Sequence, residues 1–128
     1  MAIAVLKSLR PGQAANVAAL LMGQLSRDVP AIYGDGPVVD VTGRNHAAIH
    51  YCTVVLQGTA GQLERLVGAA QDETLAYSCF SALGQGLNNK YDEYVARLRR
   101  EASQLVGVAV FGPDGQVRRV TKPFSVLA

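Results

Sequence analysis

The order of apolar and polar residues along the chain predicts strands that alternate with helices. Ala2–Leu6 is a continuous apolar run, which is typical of a strand buried on both faces. Pro11 suits the first turn of a helix, where its missing N–H costs nothing, and we expect this helix to run to about Arg27. Its inner stripe is predicted to be Ala14, Val17, Ala18, Leu21, Met22 and Leu25.

The middle of the chain predicts further strands around a second helix. After a turn-rich stretch, a short strand is expected at Val38–Val41 and a long strand at His46–Leu56. Thr59 is typical of a helix N-cap, and the helix that it begins is followed by a third strand at Thr74–Phe80. The inner face of this second helix is predicted to be Leu63, Leu66, Val67 and Ala70.

A third helix and a fourth strand are predicted beyond residue 80. A glycine-rich loop at Leu83–Leu87 precedes the helix, which Asn89 or Asp92 can cap. The fourth strand is predicted at Val106–Phe111. The inward side chains of the third helix are predicted to be Tyr94, Val95, Leu98 and Ala102.

The segment after the fourth strand has two interpretations. Gly112–Gly115 contains an Asp-Gly pair, which favours a hairpin turn, and a proline, which favours the first position of a short helix. A last strand is expected at Phe124–Leu127. The sequence pattern alone leaves the hairpin and the helix both open.

Strand–helix units that repeat along one chain predict an α/β fold. We expect a three-layer arrangement in which a mixed, mostly parallel sheet of four to five strands carries helices on both faces. With 128 residues the chain has the usual size of a single domain, so residues 1–128 are predicted to share one hydrophobic core.

Composition and charge exclude several classes of function. The net charge of +2 is too small to predict a nucleic-acid partner, because phosphate-binding domains carry clustered basic residues. The longest apolar stretches, Ala14–Met22 and Val106–Phe111, are far shorter than a membrane span, and no signal-peptide pattern opens the sequence. We therefore expect a cytoplasmic protein with no membrane partner. The two cysteines, Cys52 and Cys79, are expected to be reduced core thiols.

The turn Lys7–Asn16, between the first strand and the first helix, is the first candidate binding site. Amide groups and the dipole at a helix N-terminus favour an anionic group, and Gly12 would let such a group approach the backbone. In this prediction Arg10 holds a small anionic ligand, while Gln13 and Asn16 orient it by hydrogen bonds. The spacing matches no nucleotide-binding motif, so no cofactor is predicted. The alternative is that Pro-Gly simply starts the helix.

The candidate site is completed by residues from two predicted strands. Asn45 and His46 lie at the start of the long strand, and Cys79 and Ser81 lie near the end of the third. His46 is the group of this set that can exchange a proton near neutral pH. A meeting of His46 with Cys79 or Ser81 would suit nucleophilic catalysis. His50 would lie about 13 Å along the strand from His46, too far to share a metal, so no metal site is predicted. A structural role for the imidazole is the alternative.

Four segments form a distinctive ordered set: Leu9–Asn16, Gly43–Ile49, Tyr91–Leu98 and Gly107–Pro113. Together they resemble an uncharacterised bacterial family, a domain of unknown function with the fold of the type II peptidyl-tRNA hydrolases. The resemblance covers nearly the whole chain. It implies a mixed four-stranded sheet core with helices on both sides, a homodimer, and a short helix at Pro113–Thr121 in place of the hairpin.

The resemblance carries the fold and not the hydrolase activity. The enzymes have Ala-Ala-Gln where this chain has Ala14–Asn16, which places their functional lysine at Gly12. Their acidic residue after the third strand has no counterpart in Ser78–Ser81. Three hypotheses follow: a small-ligand-binding domain or an enzyme of unassigned reaction, a peptidyl-tRNA hydrolase-type esterase, and a structural homodimer module without a ligand.

Overall fold

Strands and helices follow one another over residues 1–87 and 89–128, the part of the chain that the computed structural model describes. The strands are β1 (Ala2–Leu6), β2 (Val38–Val39), β3 (Asn45–His46), β4 (Val54–Gly58), β5 (Ala76–Ser81), β6 (Leu105–Phe111) and β7 (Ser125–Val126). The helices are α1 (Pro11–Asp28), α2 (Ala60–Asp72), α3 (Ala82–Gly86), α4 (Tyr91–Leu98) and α5 (Asp114–Thr121), with a 3₁₀ turn at Pro30–Ile32.

Five strands form the main sheet in the spatial order β5–β6–β1–β4–β7, and β2 pairs with β3 in a separate hairpin. The expected α/β fold with a mixed sheet is confirmed. The prediction that the sheet is mostly parallel is wrong, because among the described strands β1 and β4 make its one parallel pairing and the other three pairings are antiparallel. We call the end of the sheet at which β1, β4 and β5 finish the exit end.

The connection after β5 explains why the sheet is not mostly parallel. A parallel neighbour needs a crossover that carries the chain back along the face of the sheet. Here Ala82 N donates a hydrogen bond to Gln104 O at 2.9 Å, so the segment containing α3 and α4 leaves and returns at the exit end. β6 therefore starts where β5 finishes and runs in the opposite direction.

Helices cover both faces of the main sheet, as expected from the sequence. On one face α1 packs against β1, β5 and β6, and Val17, Leu21 and Leu25 are fully buried there. Gly107 of β6 lets α1 come close, because a Cβ built at this position would lie 2.6 Å from Val17 Cγ1. On the other face α2 and α5 cover a second apolar cluster, which includes Leu63.

Several predicted elements are confirmed with small shifts of their ends. α1 ends one residue beyond the predicted Arg27. Thr59 is the N-cap of α2, where its hydroxyl accepts from Gln62 N at 3.2 Å and Gln62 Oε1 accepts from Thr59 N at 2.8 Å. The segment Asp114–Thr121 is a helix with Pro113 at its N-cap, so the helical interpretation is confirmed over the hairpin.

The long strand predicted at His46–Leu56 is wrong over residues 47–53. In this stretch the backbone pairs with the 3₁₀ turn instead of the main sheet: Gly34 N donates to Ala48 O at 2.8 Å, and His50 N donates to Ile32 O at 2.9 Å. The strand predicted at Val38–Val41 is shorter, and it belongs to the separate hairpin.

The region around the third predicted helix differs more. Leu83–Leu87 is not a loop, since most of it belongs to α3. Neither Asn89 nor Asp92 caps the following helix, because its N-cap residue is Lys90, which makes no side-chain cap hydrogen bond. That helix, α4, ends at Leu98, so the predicted inward residue Ala102 lies beyond it.

Candidate functional site

The residues predicted to hold an anion lie together at the start of α1, and all of them are exposed. Arg10 is the N-cap residue, and its backbone N–H donates to Gln13 Oε1 at 3.1 Å. Gln13 is therefore already engaged in capping the start of the helix. Gly12 is open to solvent, since a Cβ built there would meet no described atom within 4 Å. Asn16 follows about one turn later, and an anion at this turn stays a prediction.

The same turn borders a groove of about 420 Å³ on the α1 face of the sheet. Lys7 and Gln57 bring the polar side chains to this groove, while Leu9, Pro11 and Ala14 contribute apolar lining. The four residues of the predicted anion site lie outside the lining. The groove and the predicted anion site are thus neighbours but not one site.

Asn45 and His46 lie at the opposite end of the main sheet from this turn. They form β3, and the chain runs from there past His50 into the start of β4. Because β1 and β4 are parallel, the start of β4 and the finish of β1 are at opposite ends of the sheet. The single pocket that the sequence predicts, with His46 beside the α1 turn and the finish of β5, is not formed.

His46 is held inside its own hairpin by Asp40. His46 Nε2 lies 2.6 Å from Asp40 Oδ2. The other carboxylate oxygen of Asp40 accepts from the Thr42 hydroxyl at 2.6 Å, from Thr42 N at 2.8 Å and from Arg44 N at 3.1 Å. The Thr42 hydroxyl, followed by His46, holds the pKa of the Asp40 carboxyl below its usual range. This geometry favours the structural role of the imidazole.

Ser81 lies at the exit end of the sheet, but on the face opposite α1. There α2, β5, β6 and the segment that contains α4 enclose a cleft of about 430 Å³, which we call the Ser81 cleft. A cleft of this volume falls within the range of small-molecule sites. Its lining includes Glu64, Cys79, Ser81, Tyr94, Leu98 and Leu105.

The hydroxyl of Ser81 does not cap α3, although its N-cap position predicts that role. Ser81 is the N-cap residue of α3, where a serine hydroxyl ordinarily accepts a hydrogen bond from the helix. Ser103 Oγ takes that place by accepting from Leu83 N at 3.1 Å. Ser81 is only 6% exposed, and its Oγ has no hydrogen-bond partner among the described residues. An unpaired buried hydroxyl therefore lies in the wall of the cleft.

Cys79 and Tyr94 bring two further titratable groups to the Ser81 cleft. Burial, followed by the nearby Glu64 carboxylate, raises the pKa of the Cys79 thiol to about 11. Burial, followed by Cys79, also raises the pKa of the Tyr94 phenol. Both groups are therefore neutral near pH 7, and both can donate a hydrogen bond.

Two carboxylates line the cleft, and they differ in their partners. Glu101 pairs with Arg97, with 2.9 Å between Glu101 Oε1 and Arg97 Nη2, and the hydrogen bond from Arg97 lowers the pKa of the Glu101 carboxyl. Glu64 makes no ion pair with any described residue within 4.0 Å. The cleft therefore carries one carboxylate charge that no neighbouring cation offsets.

The cleft is better suited to binding than to nucleophilic catalysis. A serine or cysteine nucleophile needs a base within hydrogen-bond reach. Both histidines of the chain, His46 and His50, lie at the other end of the sheet, so the meeting of His46 with Cys79 or Ser81 does not occur. The raised pKa of Cys79 also keeps its sulfur in the weakly nucleophilic thiol form.

Ser81 and Cys79 are candidate site residues from the sequence, whereas the other residues that line this cleft were not predicted as part of a site. Glu64 comes directly after the buried Leu63 and three residues before Val67, which places it at the border of the inner face of α2. That spacing was a usable signal. Ser103 gave none, because its contact with α3 depends on how the segment after α4 returns to the sheet.

No described helix is long and apolar enough to cross a membrane. Over residues 1–87 and 89–128, no group of three or more His, Cys, Asp or Glu side chains is arranged to hold a metal ion.

Comparisons with known proteins give a family and a fold. The model of a family described as "Protein of unknown function (DUF2000)" matches residues 1–128. No curated protein matches the chain in sequence. A solved structure of a protein of unknown function from Agrobacterium tumefaciens strain C58 is similar, with a TM-score of 0.85 and 18% sequence identity, over 99% of this chain and 96% of the other. At that identity the likeness shows the fold alone.

Proposed function

We propose that this chain, which belongs to the DUF2000 family of proteins of unknown function, is a small-ligand-binding domain. Its ligand occupies the Ser81 cleft. This proposal keeps Ser81 from the sequence prediction and moves the site to the face of the sheet opposite α1. A cytoplasmic location, a homodimer and the likeness to type II peptidyl-tRNA hydrolases stay predictions beside it.

The unpaired hydroxyl of Ser81 carries the proposal. Leaving a buried donor and acceptor unsatisfied costs about 1–3 kcal/mol of folding free energy. The position does not require this cost, since α3 is already capped by Ser103 and an alanine at residue 81 would avoid it. A ligand that hydrogen-bonds Ser81 Oγ recovers the lost interaction, which is a gain in affinity that a fully paired side chain could not offer.

Access to this oxygen depends on α4. Ser81 Oγ itself is out of contact with solvent, and α4 contributes Tyr94 and Leu98 to the lining of the cleft. All eight residues of α4 are half-buried or exposed, so little apolar surface holds this helix in place. In the proposal a small outward shift of α4 brings a ligand's polar atom within reach of Ser81.

The test is a fragment titration of the ¹⁵N-labelled chain followed by NMR. A library of small amines, alcohols, amides and acids is added in turn, and the shifted amide resonances are mapped. We expect the shifts to cluster at Cys79, Ser81 and Leu105. Ser81→Ala should weaken the best fragment by about twofold to tenfold, the range for one neutral hydrogen bond.

Ser125→Ala is the matched control, because Ser125 is an exposed serine of β7 outside the cleft. It should leave the fragment's affinity unchanged. Shifts that cluster in the Lys7–Gln57 groove, or no shift with any fragment, would overturn the proposal. An equal affinity for the wild-type chain and Ser81→Ala would remove Ser81 from the site.

A further inference from the structure

The charge balance of the Ser81 cleft bears on the kind of ligand that it accepts. Four titratable groups face it: Glu64 from α2, Cys79 from β5, Tyr94 from α4 and Glu101 from the segment after α4. Arg97 neutralises Glu101 through their 2.9 Å contact. The uncompensated charge that remains is the carboxylate of Glu64, which has no cationic partner among the described residues.

An anionic ligand would meet unfavourable surroundings there. Burial of Cys79, followed by the Glu64 carboxylate, opposes negative charge and raises the pKa of the Cys79 thiol. The same influences that disfavour a thiolate disfavour a bound carboxylate or phosphate. Burial disfavours a charge of either sign, whereas the Glu64 carboxylate attracts a positive charge.

The other walls of the cleft are apolar. Val67 of α2 and Leu105 of β6 both pack against the apolar cluster on this face, and Leu98 of α4 keeps 42% of its side-chain surface exposed. A short hydrocarbon chain laid against these three side chains would remove apolar surface from water, which favours binding.

We propose, as an extension of the proposed function, that the ligand is an organic cation: a primary ammonium group that pairs with Glu64 and donates to Ser81 Oγ, attached to a short apolar chain that packs against Val67, Leu98 and Leu105. Glu64 and Ser81 both line the one cleft, and an ammonium has three donors, so the proposal assigns both oxygens to one head group. The unpaired buried hydroxyl of Ser81 distinguishes the cleft from an acidic surface patch, which would not by itself indicate a binding site.

Three probes of one size test the charge preference: n-pentylammonium, n-pentanol and pentanoate, titrated into the ¹⁵N-labelled chain at constant ionic strength. We expect n-pentylammonium to bind most tightly and pentanoate to bind least. Glu64→Gln should weaken n-pentylammonium by about 1.5-fold to fivefold, the range for an exposed ion pair, and leave n-pentanol unchanged.

Asp72→Asn is the matched control, because it removes an exposed carboxylate from α2 at a residue outside the cleft lining. It should change none of the three affinities. If n-pentanol binds as tightly as n-pentylammonium and Glu64→Gln has no effect, the cation preference is overturned while the binding site stands. If none of the probes shifts the resonances of Cys79, Ser81 or Leu105, the proposed function fails with it.

Discussion

His46 Nε2 lies 2.6 Å from Asp40 Oδ2, and this contact joins the last residue of β3 to the turn of the β2–β3 hairpin. The carboxylate of Asp40 is the common acceptor for the whole turn, since Thr42 and Arg44 donate to its other oxygen. An exposed segment with little apolar contact is thus ordered by one charged group, and its order should depend on pH.

Asp40 should titrate below the ordinary pKa of about 4 for an aspartate. A carboxylate whose pKa is lowered by folding supports the folded hairpin above the ordinary pKa, and this support is lost as the pH falls through the lowered value. Carboxyl ¹³C NMR can follow the titration. Thr42→Val should raise the midpoint more than His46→Ala, because the Thr42 hydroxyl makes the larger contribution. A midpoint at the ordinary value, or the reverse order, would contradict this account.

The two serines near α3 should differ in their effect on stability. Ser103→Ala removes the acceptor for Leu83 N, and losing a cap costs about 0.5–2 kcal/mol. Ser81→Ala removes a hydroxyl that has no partner among the described residues, so the free energy of unfolding should stay unchanged or rise. Urea denaturation of both variants checks the difference. A larger loss for Ser81→Ala than for Ser103→Ala would mean that Ser81 is already paired.

Gly107→Ala should destabilise the chain by about 1–3 kcal/mol, as overpacking of a core does. The added Cβ would lie 2.6 Å from Val17 Cγ1 and 2.8 Å from Leu21 Cδ1, and α1 would have to move away from the sheet. Gly23→Ala is the control within α1, because its Cβ would meet no described atom within 4 Å. That change should be neutral or stabilising, by up to about 1 kcal/mol. Thermal unfolding of the two variants tests the contrast.

The two cysteines should react with iodoacetamide at very different rates. Cys52 is exposed, so the expectation that both cysteines are core thiols is wrong for it, whereas Cys79 is half-buried with a thiol pKa of about 11. At pH 8 about one Cys79 thiol in a thousand is ionised, and the thiolate is the reactive form. Mass spectrometry of the timed reaction should show one rapid modification, and Cys52→Ser should abolish it. Rapid loss of both thiols would show that the cleft opens more readily than its burial indicates.

The homodimer that the family resemblance implies can be tested by sedimentation velocity at several concentrations. We expect a species of twice the mass of one chain that dissociates on dilution. Leu20 of α1 and Val126 of β7 are exposed apolar residues, and burial of such side chains favours a dimer interface. A single species of one-chain mass at every concentration would remove the homodimer as a prediction.

Local chemistry made α1, α2 and the first strand predictable. The Thr59 N-cap, Pro11 in the first turn of α1 and the inner stripe of α2 depend on residues close together in the sequence. The direction of β6 was not predictable in this way. It depends on the segment between Ala82 and Gln104 returning to the point where it left, which a local pattern does not encode.

The candidate site followed the same division. Ser81 and Cys79 could be placed at the finish of β5 from the sequence, but the face that they share with α2 and α4 could not. The sequence pattern misplaces His46 because it predicts strand over residues 47–53, which would make His46 the first residue of a strand in the main sheet. Its true partner, Asp40, lies only six residues away.

The central position of β1 has a consequence for how the chain folds as it is made. Ala2 is paired with Val54 on one side and with Val110 on the other, so β1 precedes both of its neighbours in synthesis and waits more than a hundred residues for the second. We expect the sheet of the nascent chain to stay incomplete until β6 has emerged from the ribosome. Translational pausing before that point would prolong the exposure of an apolar strand, and chaperones that shield such strands should bind the nascent chain there.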